Sequence, residues 1–200
     1  MLPERVCMDD HTNPYRDIEV AGLSVRLERS WHVLALRHFS SDGAFAQACG
    51  AWFKRALPAT GGAVRVPVSP YAEAPILAWR NPTTTLVLSR TPATIEALDS
   101  ALQGHPDGCC VDQSGGIQVL ELTGSWVTPL LLRIGSRPEV VESGQVASLR
   151  IGEVVVTTLS VEPGCVFLLV DRAYLEHVLD WMRVTAAEAD LSTPGAMKSI

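Results

Sequence analysis

The chain has 200 residues, of which 47% are apolar and 19% charged, and its formal net charge is −6. That composition excludes a disordered chain, which needs low hydrophobicity and high net charge. The acidic balance disfavours a general nucleic-acid or anionic-membrane binder, which would be basic. Folding would bury roughly 70% of the extended chain's surface, enough for one core or two small halves packed together.

Residues 1–17 are polar and read as a tail or a partner-binding arm. Val20–Arg29 and Trp31–Phe39 read as strands. Ser40, Ser41 and Asp42 form a helix-capping cluster. The helix that follows is expected to reach Leu57 and stop at Pro58, with Phe45, Cys49, Trp52, Phe53 and Ala56 on one apolar face. Pro58 to Pro75 holds Gly61-Gly62 and reads as a long loop or an extended edge segment. Ile76–Arg80 and Thr84–Ser89 are strands joined by a turn at Asn81-Pro82. Thr91-Pro92 opens a helix with Ile95, Leu98 and Leu102 in one stripe, closed by Gly104 and Pro106.

Cys109–Asp112 and Ile117–Thr123 are strands around a Ser114-Gly115-Gly116 turn. Gly124-Ser125 starts a helix to about Ile134, and a polar loop runs from Gly135 to Gly144. Gln145–Ile151, Val154–Val161 and Cys165–Val170 are strands. Asp171 caps a last helix running to about Ala187. The order strand, helix, strand, strand, helix occurs twice. The segment from Trp31 to Arg37 echoes that from Ile117 to Thr123, and Leu86 to Arg90 echoes Phe167 to Asp171. The expected fold is α+β, with antiparallel sheets covered by helices. The expected division is a tail 1–17, a first half 18–104, a second half 105–188 and a tail 189–200.

No stretch approaches the run of about 18 apolar residues of a membrane helix. Glu4, Asp9 and Asp10 near the start, with no apolar segment between charges, do not read as a secretory signal, so a cytoplasmic location is expected. The five cysteines, Cys7, Cys49, Cys109, Cys110 and Cys165, are odd in number and contain no C-x-x-C pair. Reduced thiols are expected.

Motifs for chemistry are absent. There is no G-x-G-x-x-G, no Walker loop and no G-x-S-x-G elbow. His11, His32, His38, His105 and His177 show no metal-ligand spacing, and His32 and His38, six residues apart on a strand, are separated by roughly 20 Å. Cys109 and Cys110, adjacent on a strand, face opposite ways. Asp112 followed by Ser114 reads as a turn cap. No catalytic, cofactor-binding or metal-binding residue is therefore expected.

The last helix stands out. On a helical wheel Leu175, Val178, Leu179, Met182 and Ala186 form a buried stripe, while Arg172, Glu176, Asp180 and Arg183 lie opposite. Tyr174, His177 and Trp181 fall between and widen the apolar arc to roughly 200°, where a surface helix needs little over 100°. The three are expected at a subunit interface, where amphipathic aromatics are enriched. Cover by the Pro58–Pro75 segment of the same chain is the alternative.

Residues 76–187 also carry a resemblance. Asp112 and Ser114 precede a turn, Leu122-Thr-Gly124 precedes a helix containing Leu130-Leu131, and Leu168-Leu-Val170 leads into a helix with Glu176 and Trp181. In these features the chain resembles the gamma subunit of the heterotetrameric sarcosine oxidases, a family related in fold to the folate-binding part of glycine-cleavage aminomethyltransferase. Where that family has a Cys-Pro-x-Asp-Leu segment, this chain has Ile134-Gly-Ser-Arg-Pro-Glu139, which leaves the member of the family open.

The resemblance implies a small non-catalytic subunit of a complex that oxidatively demethylates sarcosine to glycine. Alpha, beta and delta subunits would be its partners and would carry FAD, FMN, NAD, zinc and tetrahydrofolate. Three alternatives stand beside it. One is the equivalent subunit of an N-methyl amino acid dehydrogenase such as N-methylglutamate dehydrogenase. The second is a free-standing folate-binding protein of the aminomethyltransferase superfamily. The third is an unrelated α+β binding module. The Lys-Gly-Cys-x-x-Gly-Gln-Glu motif of the related iron–sulfur maintenance protein is missing around Gly164-Cys165.

Overall fold

The computed structural model describes residues 17–67, 74–136 and 140–191. Among these, the strands are β1 (Ile18–Val20), β2 (Leu23–Glu28), β3 (His32–His38), β4 (Ala63–Arg65), β5 (Ile76–Asn81), β6 (Thr84–Ser89), β7 (Gly108–Asp112), β8 (Ile117–Thr123), β9 (Gln145–Ile151), β10 (Val154–Glu162) and β11 (Cys165–Asp171). The helices are α1 (Ala44–Phe53), α2 (Pro92–Leu102), α3 (Val127–Ile134) and α4 (Leu175–Leu191). One sheet has the order β1-β2-β8-β11-β10-β9 and the other β4-β5-β6-β3-β7. All the pairings are antiparallel.

The expected α+β class is the observed one, and side-chain alternation builds its layers. On β11, Val166, Leu168 and Val170 pack with Leu130, Leu131, Val178 and Met182 of α3 and α4. Cys165, Phe167 and Leu169 face the other sheet, among Val33, Ala35, Leu86 and Leu88. Leu34, Leu36 and Val87 turn outward to α1 and α2. The four layers are therefore helices, sheet, sheet, helices. Each central strand reads as a continuous apolar run because both its faces are covered. The edge of Trp31 on Phe167, with ring centroids 5.7 Å apart, closes the contact between the sheets.

The two halves repeat one topology. The path β3-α1-β4-β5-β6-α2 gives the sheet order 3-6-5-4, and β8-α3-β9-β10-β11-α4 gives 8-11-10-9. The leading strands are exchanged. β2 pairs with β8 from Ser24↔Thr123 to Glu28↔Val119, and β7 pairs with β3 from His38↔Gly108 to Leu34↔Asp112. A cut at residue 104 thus does not separate the sheets: each half hands one strand to the other, and the backbone hydrogen bonds of both depend on it.

Several local expectations change. The strand at Val20–Arg29 is a hairpin, β1-β2, turning at Gly22 with φ +79°, a region glycine enters freely. α1 ends at Phe53, because Lys54 adopts a left-handed conformation. Ala56 is consequently exposed and Trp52 only half-buried. The Ser40–Asp42 cluster does not cap α1. The Phe45 N–H donates to Asp107 Oδ1 at 3.0 Å, from the far side of α2. Pro58 to Pro75 contributes an edge strand, β4, and Val146 N–H of β9 donates to Gly61 O at 2.8 Å. The last helix opens with a 3-10 turn, Arg172–Tyr174, capped by Asp171 Oδ1 accepting from Ala173 N–H. α4 then runs on to Leu191. Cys7, His11 and the tail residues 1–16 and 192–200 lie outside the described residues.

Candidate functional site: an exposed aromatic face on the last helix

α4 is held by the stripe read from its sequence. Leu175, Val178, Leu179, Met182 and Ala186 are all buried against the outer face of the β1–β9 sheet and against α3. The neighbouring flank is open. Tyr174 is 51% exposed and Trp181 46%. His177 is exposed too, and its ring meets the indole of Trp181 edge-on at a centroid distance of 6.5 Å. All three expected interface residues are therefore exposed, and His177 and Trp181 touch. The Pro58–Pro75 segment pairs with β9 through Gly61, so its described part follows the sheet edges.

The turn between β9 and β10 supports the rings. Gly152 sits there with φ +55°, and a Cβ on it would lie 3.3 Å from Trp181 Nε1 and 3.5 Å from His177 Nε2. Two further apolar residues extend the face. Val184 is 59% exposed and follows Trp181 by three positions and His177 by seven, so helical spacing alone could have found it. Val155 is 60% exposed on β10. It shares with Tyr174 a groove of about 750 Å³ that also involves Glu153, Arg80 and Asp112. Nothing in the sequence places Val155 and Tyr174 at one groove, since one lies on a strand and the other in the turn before the last helix.

Other candidates are consumed structurally. Asp112 Oδ1 accepts from the Ser114 N–H at 2.9 Å and the Ser114 hydroxyl at 2.6 Å. These bonds hold its carboxyl below the usual range. Ser114 Oγ in turn accepts from the Val33 N–H, tying the turn to β3. Cys110 is half-buried against the α1–α2 core, while Cys109 is exposed. Burial, and then the charge of Asp99, pushes the Cys110 thiol up to about 12. His38 is buried, which lowers its pKa, partly offset by a hydrogen bond to the backbone of Ser40. Among the described residues no three His, Cys, Asp or Glu side chains converge in a way that could hold a metal ion. No described helix is long and apolar enough to cross a membrane.

No protein-family model matches the sequence, and no curated protein matches it significantly. Solved structures do match in fold. A chain of the heterotetrameric sarcosine oxidase from Corynebacterium sp. U-96, in complex with pyrrole 2-carboxylate, superposes with a TM-score of 0.72 at 19% identity. The match covers 86% of this chain and 87% of that one. The glycine cleavage system aminomethyltransferase T from Bartonella henselae superposes with a TM-score of 0.62 at 10% identity, over 80% of this chain and 45% of that one. The chain shares their fold. At these identities the likeness is one of fold alone.

Proposed function

We propose that the chain is the small, non-catalytic gamma subunit of a heterotetrameric, flavin- and tetrahydrofolate-dependent sarcosine oxidase, and that it serves assembly. One observation carries the reading. The match to a chain of the heterotetramer covers nearly equal shares of both chains, 86% and 87%, so the two correspond in fold over most of their lengths and are of similar length. The aminomethyltransferase match spans less than half of that protein. In this proposal the exposed face of Tyr174, His177, Trp181 and Val184 meets a larger subunit, and the flavins, NAD, zinc and tetrahydrofolate reside on the alpha, beta and delta partners. An assembly role agrees with the site chemistry: Asp112 and Ser114 are committed to a turn, and the Cys49, Cys110 and Cys165 thiols are each pushed up to about 12, mainly by burial.

The test is affinity purification of the tagged chain from its native host, followed by absorbance spectroscopy and assay with sarcosine and with N-methylglutamate. Flavin-containing partner chains that oxidise sarcosine are the expected result. Oxidation of N-methylglutamate instead would reassign the complex to a dehydrogenase of the related kind. A chain that comes down alone and binds tetrahydrofolate would refute the subunit role.

A further inference from the structure

β7 is an open edge. In the order β4-β5-β6-β3-β7 it pairs with β3 alone. The β4 and β9 edges meet through the Gly62↔Gln145 bridge, and the remaining edge, β1, has 3 residues against 5 on β7. The Phe39 N–H donates to Asp107 O and the Gln113 N–H to Val33 O, so hydrogen-bonded pairs with β3 recur at every second residue and include Cys109 and Val111. Gly108, Cys110 and Asp112 therefore turn their N–H and C=O outward, where no described strand pairs with them. Natural edges are commonly blunted by lysine, proline or a bulge. β7 has none of these: it reads Gly-Cys-Cys-Val-Asp, and its register is unbroken.

A pocket flanks this strand at each end. At its start, Phe39, Pro106 and Cys109 border about 670 Å³, and Phe39 is 83% exposed. Arg37, opposite Cys109 in the register, puts positive charge there. At its end lies the groove of about 750 Å³ that Val155 and Tyr174 share, with Val111 in its lining beside Asp112, Glu153 and Asp171. Among the described residues no basic side chain lies within ion-pair distance of these three carboxylates, and Arg80 is the one guanidinium in the lining. Gln113 Oε1, also of that lining, is buried and accepts no hydrogen bond. In recognition at a sheet edge, main-chain bonds supply affinity and pockets for alternate side chains supply specificity. The charge pattern selects the occupant: a cation suits the Asp112 end and not the Arg37 end. A second copy of β7 offers no basic residue to the acidic end.

We propose that β7 takes up an extended segment of another protein chain as a further antiparallel strand, with a basic side chain facing Val111 and a large apolar one facing Cys109. The basic residue lays its hydrocarbon stem along Val111 and Val155 and points its charge toward Glu153 and Asp171. The apolar residue, two positions later in the partner, meets Phe39 and Pro106. The proposal stands independently of the subunit assignment.

The probe is the peptide acetyl-Thr-Thr-Arg-Val-Leu-Thr-Thr-amide, titrated into the full isotope-labelled chain and followed by NMR through amide shifts and hydrogen exchange. In the free chain the Gly108, Cys110 and Asp112 amides should exchange faster than those of Cys109 and Val111. Saturating peptide should slow those three at least about ten-fold. A peptide N-methylated where it would bond them should not bind. Replacing its arginine by glutamate, or Glu153→Lys at an exposed position of the chain, should weaken binding at least about five-fold by setting like charges together. Binding of the N-methylated peptide, indifference to both charge reversals, or no saturable binding would each overturn the proposal. Slow exchange of the three amides in the free chain would do so too: with self-association it means a second copy on the edge, and without it cover by the chain's own residues.

Discussion

Replacing Trp181 by alanine tests the aromatic face of α4 and acts on two quantities at once. A tryptophan carries up to roughly 250 Å² of surface, and 46% of Trp181 is open, leaving about 115 Å² to be covered by a partner. At about 25 cal/mol per Å² that cover contributes about 3 kcal/mol to assembly, or a loss of about 100-fold in affinity. The remaining surface rests on His177 and the Gly152 turn, and losing it costs the subunit's own stability a similar amount, about 3 kcal/mol.

Val184→Asp separates the two effects. Val184 is 59% exposed, so the change should move subunit stability by no more than about 0.5 kcal/mol. At a covered interface, however, it would strand a charge in an apolar contact. The assays are thermal unfolding of the chain alone and a sedimentation titration against the larger subunit of the proposed complex. Trp181→Ala should lower both Tm and affinity, and Val184→Asp affinity alone. If Val184→Asp assembles like the wild type while Trp181→Ala merely lowers Tm, the face belongs to the chain's own stability and the interface reasoning fails.

Three further outcomes follow from the packing. A Cβ at Gly108 would lie 2.2 Å from Phe45 Cγ and 2.7 Å from Arg37 O, so Gly108→Ala should destabilise by about 1–3 kcal/mol. Gly115→Ala, with nothing within 4 Å, should unfold in urea close to the wild type; equal midpoints for the two would contradict the geometry. His38 has a lowered pKa in the folded chain, so the unfolded chain binds its proton more readily. Its contribution is complete above about pH 6.5 and declines as pH falls below that value, a window above the carboxylate titrations; His38→Gln should flatten the urea-midpoint profile between pH 7 and 5. In a brief iodoacetamide pulse at pH 8, mass spectrometry should find exposed Cys109 labelled before Cys110, whose thiol burial pushes up to about 12; equal rates would refute the assignment of opposite faces.

What was legible in the sequence was local. The apolar runs of β3, β6, β8 and β11, the 3.6-residue stripe of α4 and the turn chemistry of Asp112 with Ser114 are written in neighbouring residues, because strand faces, helix faces and turn bonds are settled within a few positions. The flank of Tyr174, His177 and Trp181 was legible for the same reason, as surplus apolar arc on one wheel. Tertiary structure decided everything that depends on pairing across distance. Asp107, and not the adjacent Ser40–Asp42 cluster, caps α1, since only the folded chain brings it to the helix start. β2 and β7 change sheets, because an antiparallel edge accepts any strand of matching register regardless of chain order.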